Sequence, residues 1–155
     1  TVSMSVNTLD ENFRSDMDNA SSIQDRLSAL KELHDNGINT VLFMSPIFPY
    51  ITDFKAIIEQ THTYINEYWF ENLNLRGDYK SRILSYVQQK YPALYDCYRN
   101  IYINNDKSYW AELSEEIKIY CDKNNVKYTH FKFIISGIYR KRKRTRQNIS
   151  LFIAM

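Results

Sequence analysis

Apolar and polar positions follow two different periods along the 155 residues. Residues 1–8 alternate small polar with apolar residues, and residues 38–45 and 67–72 are apolar runs enriched in β-branched and aromatic side chains. These patterns predict strands, and residues 126–135 predict a fourth. Apolar positions three and four residues apart predict helices between the strands. The sequence therefore predicts that strands and helices alternate.

Local signals indicate where the predicted helices and strands begin and end. Ser22 and Asp25 have nearly the spacing of a capping box, and Gly37 is predicted to end the helix that follows. The prolines of residues 46–49 are predicted to break the second strand, and Thr52 to cap the next helix. Further helices are predicted over residues 79–91, residues 93–104 and a segment that begins at Asp106 or Ser108.

Strands that alternate with helices at a spacing of about 30 residues predict a parallel sheet with right-handed crossovers. Ligand-binding groups of such sheets gather at the carboxyl ends of the strands. Each polar residue at a strand end also has a purely structural explanation, since Asn and Asp form turns and helix caps. Three successive polar strand ends nevertheless indicate a functional edge. The polar residues are Ser5, Asn7, Thr8, Asp10 and Glu11, then Ser45, then Glu71, Asn72, Asn74 and Arg76.

Composition fits a single globular domain, with 44% hydrophobic and 25% charged residues. Six positive charges lie within residues 140–146, so the remainder is mildly acidic although the formal net charge is +2. We expect an α/β domain over residues 1–135 and a basic and apolar tail over residues 136–155. The basic run could bind nucleic acid or anionic lipid, but a solvated surface segment is favoured and nucleic acid is not expected as a partner.

Candidate metal ligands are few and scattered. They are Cys97, Cys121, His34, His62 and His130, and none has a second Cys or His at ligand spacing. We therefore expect no metal site. No apolar stretch is long enough to span a membrane, and no signal-peptide pattern is found. A cytoplasmic location is expected.

Three segments resemble the second half of radical S-adenosylmethionine proteins of the spore photoproduct lyase-like group. They are "SVNTLDENFR", "RLSALKELHDNGINTVLFMSPIFPYITD" and "YWFENLNLRG", and the similarity extends from residue 1 to about residue 130. "SPIFPYITD" and "ENLNLRG" are its most specific parts. In that family a (β/α)6 partial barrel holds a [4Fe–4S] cluster and S-adenosylmethionine. Reductive cleavage of S-adenosylmethionine yields a 5′-deoxyadenosyl radical that abstracts hydrogen from a substrate.

The resemblance implies an α/β fold that is a partial (half) TIM-type barrel with parallel strands and outer helices. It implies that Ser5 and Asn7 face the ribose or methionyl group of S-adenosylmethionine and that Ser45 lies beside the adenine. It also implies a substrate-binding set on the last barrel strand. That set is Glu71, Asn72, Asn74 and Arg76.

The family's CxxxCxxC motif is absent from these residues, and three thiolates are needed to hold the cluster. We therefore expect that the chain binds no cluster by itself and is inactive alone. The chain begins in mid-strand without Met, which predicts a fragment or a processed product. We expect it to form a homo-oligomer or to dock on a separate N-terminal half. The alternative is a non-catalytic remnant of the fold that binds a nucleotide-like ligand or a protein.

Overall fold

The structure is a computed structural model that describes residues 1–131 and 151–152. Its parallel sheet has the strand order β4-β3-β2-β1-β5. The strands are β1 (Val2–Ser5), β2 (Thr40–Ile47), β3 (Glu67–Asn72), β4 (Tyr128–Phe131) and β5 (Leu151–Phe152). The predicted α/β class with parallel strands is confirmed. The basic run of residues 140–146 lies outside the described residues.

Six α-helices and one 3-10 helix flank the described strands. They are α1 (Glu11–Met17), α2 (Ile23–Asp35), α3 (Phe54–Thr61), α4 (Gly77–Lys90), the 3-10 helix Pro92–Leu94, α5 (Tyr95–Tyr102) and α6 (Ser108–Lys123). Helix α1 was not predicted from the sequence. No helix of the described residues is long and apolar enough to cross a bilayer.

Ser22 caps α2 as predicted, because its Oγ accepts a hydrogen bond of 3.1 Å from the Asp25 N–H. The predicted cap of α3 is wrong. Asp53 fills that position and accepts from the Ala56 N–H at 3.0 Å. Thr52 is occupied elsewhere, since its Oγ1 accepts from the Phe48 N–H at 3.0 Å. The carboxylate therefore caps the helix while the hydroxyl fixes the preceding turn.

The predicted end of the second strand at its first proline is also wrong. Strand β2 continues through Pro46 to Ile47, with the Ser45–Pro46 peptide bond in the cis form. The register towards β3 shifts after Met44, and pairing resumes between Ile47 and Asn72. Pro46 has no N–H to donate to a neighbouring strand, and it lies within this shift of register. The strand therefore extends further towards the carboxyl edge than the sequence predicts.

The main core lies on one face of the sheet. Alternate residues of β2 and β3 point into it, and three helices cover them from the same side. Its principal members are Leu42, Met44, Tyr68 and Phe70 from the strands, with Ile23, Leu27 and Leu30 of α2, Phe54, Ile57 and Ile58 of α3, and Leu113, Ile117 and Cys121 of α6. Helices α2, α3 and α6 thus cover a common face of the sheet.

A second core lies at the carboxyl edge of the sheet, where the strand-to-helix connections pack with α1, α4 and α5. Its buried members are Phe13, Phe48, Leu73, Leu75, Ile83, Val87 and Tyr98. The Tyr98 hydroxyl donates to the Pro49 carbonyl at 3.0 Å. The Tyr102 hydroxyl donates to the Leu73 carbonyl at 3.1 Å. This core therefore fixes the connections that carry the polar edge residues.

Candidate functional site

Hydrogen bonds join the ends of the first three strands. The Ser5 Oγ donates to the Ser45 carbonyl at 2.8 Å, and the Asn7 Nδ2 donates to the Pro46 carbonyl at 3.0 Å. The Ser45 Oγ in turn donates to the Glu71 carboxylate. The structure thus brings together the predicted cofactor residues Ser5, Asn7 and Ser45, and adds Glu71 to them.

A cavity of about 310 Å³ lies beside this hydrogen-bonded group. We call it the edge cavity. Ser5, Asn7 and Ser45 line it together with Phe48 and Arg26. Its volume is at the lower end of the range for small-molecule sites, which usually combine apolar walls with a few placed polar groups. The edge cavity has both kinds of group.

Arg26 was not identified from the sequence. Its side chain is 9% exposed and forms an ion pair of 3.2 Å with Asp18. The Arg26 Nη1 donates to the Ser5 carbonyl at 3.1 Å, and the Nε donates to the Ser21 carbonyl at 2.9 Å. The sequence did contain a signal for Arg26. Its position falls within the apolar stripe of α2, where a charge is costly to bury, so a special role could have been suspected.

A larger cavity of about 460 Å³ lies between the β3–α4 connection and the start of α6. We call it the β3 cavity. Asn72, Asn74 and Arg76 line it. The Arg76 Nε donates to the Asn74 Oδ1 at 3.3 Å, and Asn72 Oδ1 lies 2.9 Å from the Nε2 of His130. Lys80, Lys107 and Trp110 complete much of its wall.

The structure separates the four predicted substrate residues into two groups. Glu71 is bonded to Ser45 on β2, on the sheet face opposite the main core. Asn72 points to the other side, as alternation along a strand requires, and lines the β3 cavity with Asn74 and Arg76. The end of β3 therefore lines the β3 cavity through Asn72 and contacts a wall residue of the edge cavity, Ser45, through Glu71.

The sheet face opposite the main core also carries an acidic group. Burial raises the pKa of Glu67, but hydrogen bonds from Trp69, Thr129 and Lys127 outweigh this effect and hold the pKa below its ordinary value of 4.5. The Trp69 Nε1 donates at 2.9 Å and the Thr129 Oγ1 at 3.0 Å. The ring of Trp69 packs edge-on against Phe43. Glu67 is therefore a structural anion that links β3 to β4.

The described residues do not fit an iron–sulfur cluster. Both cysteines are free thiols in different helices, with Cys97 half-buried in α5 and Cys121 buried in the main core. Burial raises the pKa of the Cys121 thiol to about 11, which disfavours the thiolate that a metal requires. No group of three or more His, Cys, Asp or Glu side chains in the described part of the chain is placed to hold a metal ion.

Comparison with known proteins gives one informative match. The chain is 36% identical over 100 residues to an uncharacterised protein of Methanocaldococcus jannaschii. The match covers 64% of this chain and only 38% of the archaeal protein, so that protein carries the matching region within a longer polypeptide. No family model and no solved structure matches the chain.

Proposed function

We propose that this chain forms the cofactor-facing and substrate-facing part of a half TIM-type barrel in a radical S-adenosylmethionine enzyme. The observation that carries the proposal is the hydrogen-bonded group of Ser5, Ser45 and Glu71 beside the edge cavity. The sequential strand order β1-β2-β3-β4 with α2, α3 and α6 on one face supports a barrel-like sheet. The sequence resemblance over residues 1 to about 130 supports the family.

The edge cavity suits the chemistry of S-adenosylmethionine, which joins a nucleoside to a zwitterionic amino acid. Arg26 and Asp18 supply one positive and one negative charge to the wall, and Phe48 supplies an aromatic surface. Asn7 Oδ1 accepts no hydrogen bond from the described residues, so it can accept one from a ribose hydroxyl or an ammonium group. When it is bound together with a cluster, S-adenosylmethionine would provide the chemistry for abstracting a hydrogen atom from a substrate.

Glu71 and Ser45 are positioning residues in this proposal. Ser45 donates to one carboxylate oxygen of Glu71, and the other oxygen accepts no hydrogen bond from the described residues. That oxygen is available to orient a polar group of the substrate next to the cofactor. The cluster does not fit the described residues, so we propose that a separate segment or polypeptide holds it.

Calorimetric titration with S-adenosylhomocysteine tests the edge cavity without any iron. We expect saturable one-to-one binding. Asn7→Ala and Ser45→Ala should each weaken binding about tenfold, because each removes a hydrogen-bonding group worth about 1 kcal/mol or more. Ser28→Ala on the exposed side of α2 is the matched control and should bind as the unmodified chain does. Absence of binding, or equal weakening in the Ser28→Ala control, would contradict the proposal.

The second candidate is a remnant of the fold that binds a ligand or a protein without catalysis. The edge cavity favours it, because its walls belong to this chain alone and a ligand can bind there without a cluster. Anaerobic reconstitution with iron and sulfide distinguishes the two candidates. It is carried out with the chain alone and with the part of the archaeal protein outside the match added as a separate polypeptide. A cluster that appears only in the mixture supports the enzyme. Binding of S-adenosylhomocysteine with no cluster in either sample supports the remnant.

A further inference from the structure

Three cationic side chains surround the β3 cavity. Arg76 lies in the β3–α4 connection, Lys80 lies in the first turn of α4, and Lys107 immediately precedes α6. No carboxylate of the described residues lies within 4.0 Å of any of them. Cations from three separate elements thus face one cavity, and none of them forms an ion pair with a carboxylate of the described residues.

The acid in the cavity wall is already used within the fold. Asp106 accepts a hydrogen bond of 2.9 Å from the Ser108 N–H at the start of α6. Hydrogen bonds from the backbone and side chain of Ser108 lower the pKa of Asp106, so it is a fixed anion near neutral pH. One acid beside three cations leaves an excess of positive charge in the wall of the cavity.

The same cavity has an aromatic surface and carboxamides. Trp110 packs edge-on against Tyr109, and its indole N–H donates to no acceptor within the described residues. Asn72, Asn74 and Asn105 add carboxamide groups to the wall. A planar ring can pack on the indole, and an anionic group can meet the cations.

We infer that the β3 cavity binds a small molecule in which an anionic group is attached to a planar ring. The anionic group is a phosphate or a carboxylate, since both accept hydrogen bonds from Lys and Arg. That this molecule is the substrate of the enzyme rests on the proposed function. Binding itself requires neither S-adenosylmethionine nor a cluster, because the β3 cavity and the edge cavity have different polar residues.

Titrations with phenyl phosphate, benzoate and phenol, followed by the ¹H–¹⁵N signal of the Trp110 indole, test this inference. We expect saturable shifts with one or both anions and none with phenol. A Trp69→Phe variant assigns the signal, because the chain has only two tryptophans. Stronger binding of phenyl phosphate identifies a phosphate ligand, and stronger binding of benzoate identifies a carboxylate ligand. Absence of saturable shifts with either anion would overturn the inference.

Charge-removing variants locate the bound anion. Lys80→Gln and Lys107→Gln should each weaken binding about three- to fivefold, as expected for partly exposed ionic contacts. Lys118→Gln is the matched control, since Lys118 is an exposed lysine of α6 that does not line the cavity. Equal weakening by all three variants would show nonspecific attraction and overturn the inference. Anion binding without S-adenosylhomocysteine binding would leave this site standing while the proposed function fails.

Discussion

Glu71 and Asn72 are neighbours in sequence, but they contact different groups because successive strand residues point to opposite faces. Glu71 accepts from Ser45, whereas Asn72 meets His130 and lines the β3 cavity. The sequence predicted that both residues lie at the carboxyl edge. It did not predict that they separate, because their assignment to a common group came from their position in the chain and not from the pleat.

Glu67 is expected to make stability depend on pH. Its pKa is lowered in the folded chain, so the stabilisation is fully present above its ordinary pKa of 4.5 and is lost as the pH falls through the folded value. Glu67→Gln removes this dependence. Urea unfolding at about pH 6 and about pH 3 should therefore show a smaller loss of stability for Glu67→Gln than for the unmodified chain.

Glu32→Gln is the control for this measurement, because Glu32 is exposed on α2 and its carboxylate forms no hydrogen bond with the described residues. It should lose as much stability as the unmodified chain between the two pH values. A Glu67→Gln variant whose stability falls in parallel with that of the control would show that Glu67 contributes nothing to acid sensitivity.

At the scale of elements, capping and periodicity predicted most helices and strands but not all of their ends. Ser22 could be predicted as the cap of α2 because the apolar positions of that helix follow it directly. Thr52 and Asp53 are both good caps, and the choice between them depends on the hydrogen bond from the Phe48 N–H, which the sequence does not show. The extension of β2 through Pro46 likewise depends on the pairing of Ile47 with Asn72.

Asp53→Ala is expected to destabilise the chain by about 1 kcal/mol, because it removes the oxygen that accepts from the Ala56 N–H. Asp53→Asn should retain most of that stability, since asparagine caps a helix about as well as aspartate. Chemical denaturation of both variants measures the difference. An equal loss in the alanine and asparagine variants would show that charge and not capping is the contribution of Asp53.

The candidate site was predictable only in part. Ser5, Asn7 and Ser45 lie at the carboxyl ends of predicted strands, so the parallel topology was enough to place them at one edge. Arg26, Lys107 and Trp110 reach the cavities from helices or helix starts that are distant in sequence. Their positions depend on how helices pack on the sheet, and periodicity within one helix does not determine that packing.

For the whole molecule, the described sheet has β4 at one edge and the two-residue β5 at the other. The helices of the main core lie on one face, and Phe43 and Trp69 lie on the other, where both are half-buried. The half-barrel proposed above is expected to need a second chain or a cluster-binding segment against its sheet, because parallel sheets are usually covered on both faces. We therefore keep self-association, or docking on a cluster-binding half, as predictions.

Light scattering across a dilution series tests self-association. We expect the average mass to exceed the 18.6 kDa of one chain at high concentration and to fall towards it on dilution. A mass of one chain at every concentration would contradict self-association.

Photolabelling with 8-azido-S-adenosylmethionine tests most directly whether the carboxyl edge is the cofactor site. The adenine is predicted to lie beside Ser45, so peptide mass spectrometry should find the label within residues 45–50. An excess of S-adenosylmethionine should suppress that label. Labelling of the outer helices α3 or α6 instead, or labelling that S-adenosylmethionine does not suppress, would contradict the account.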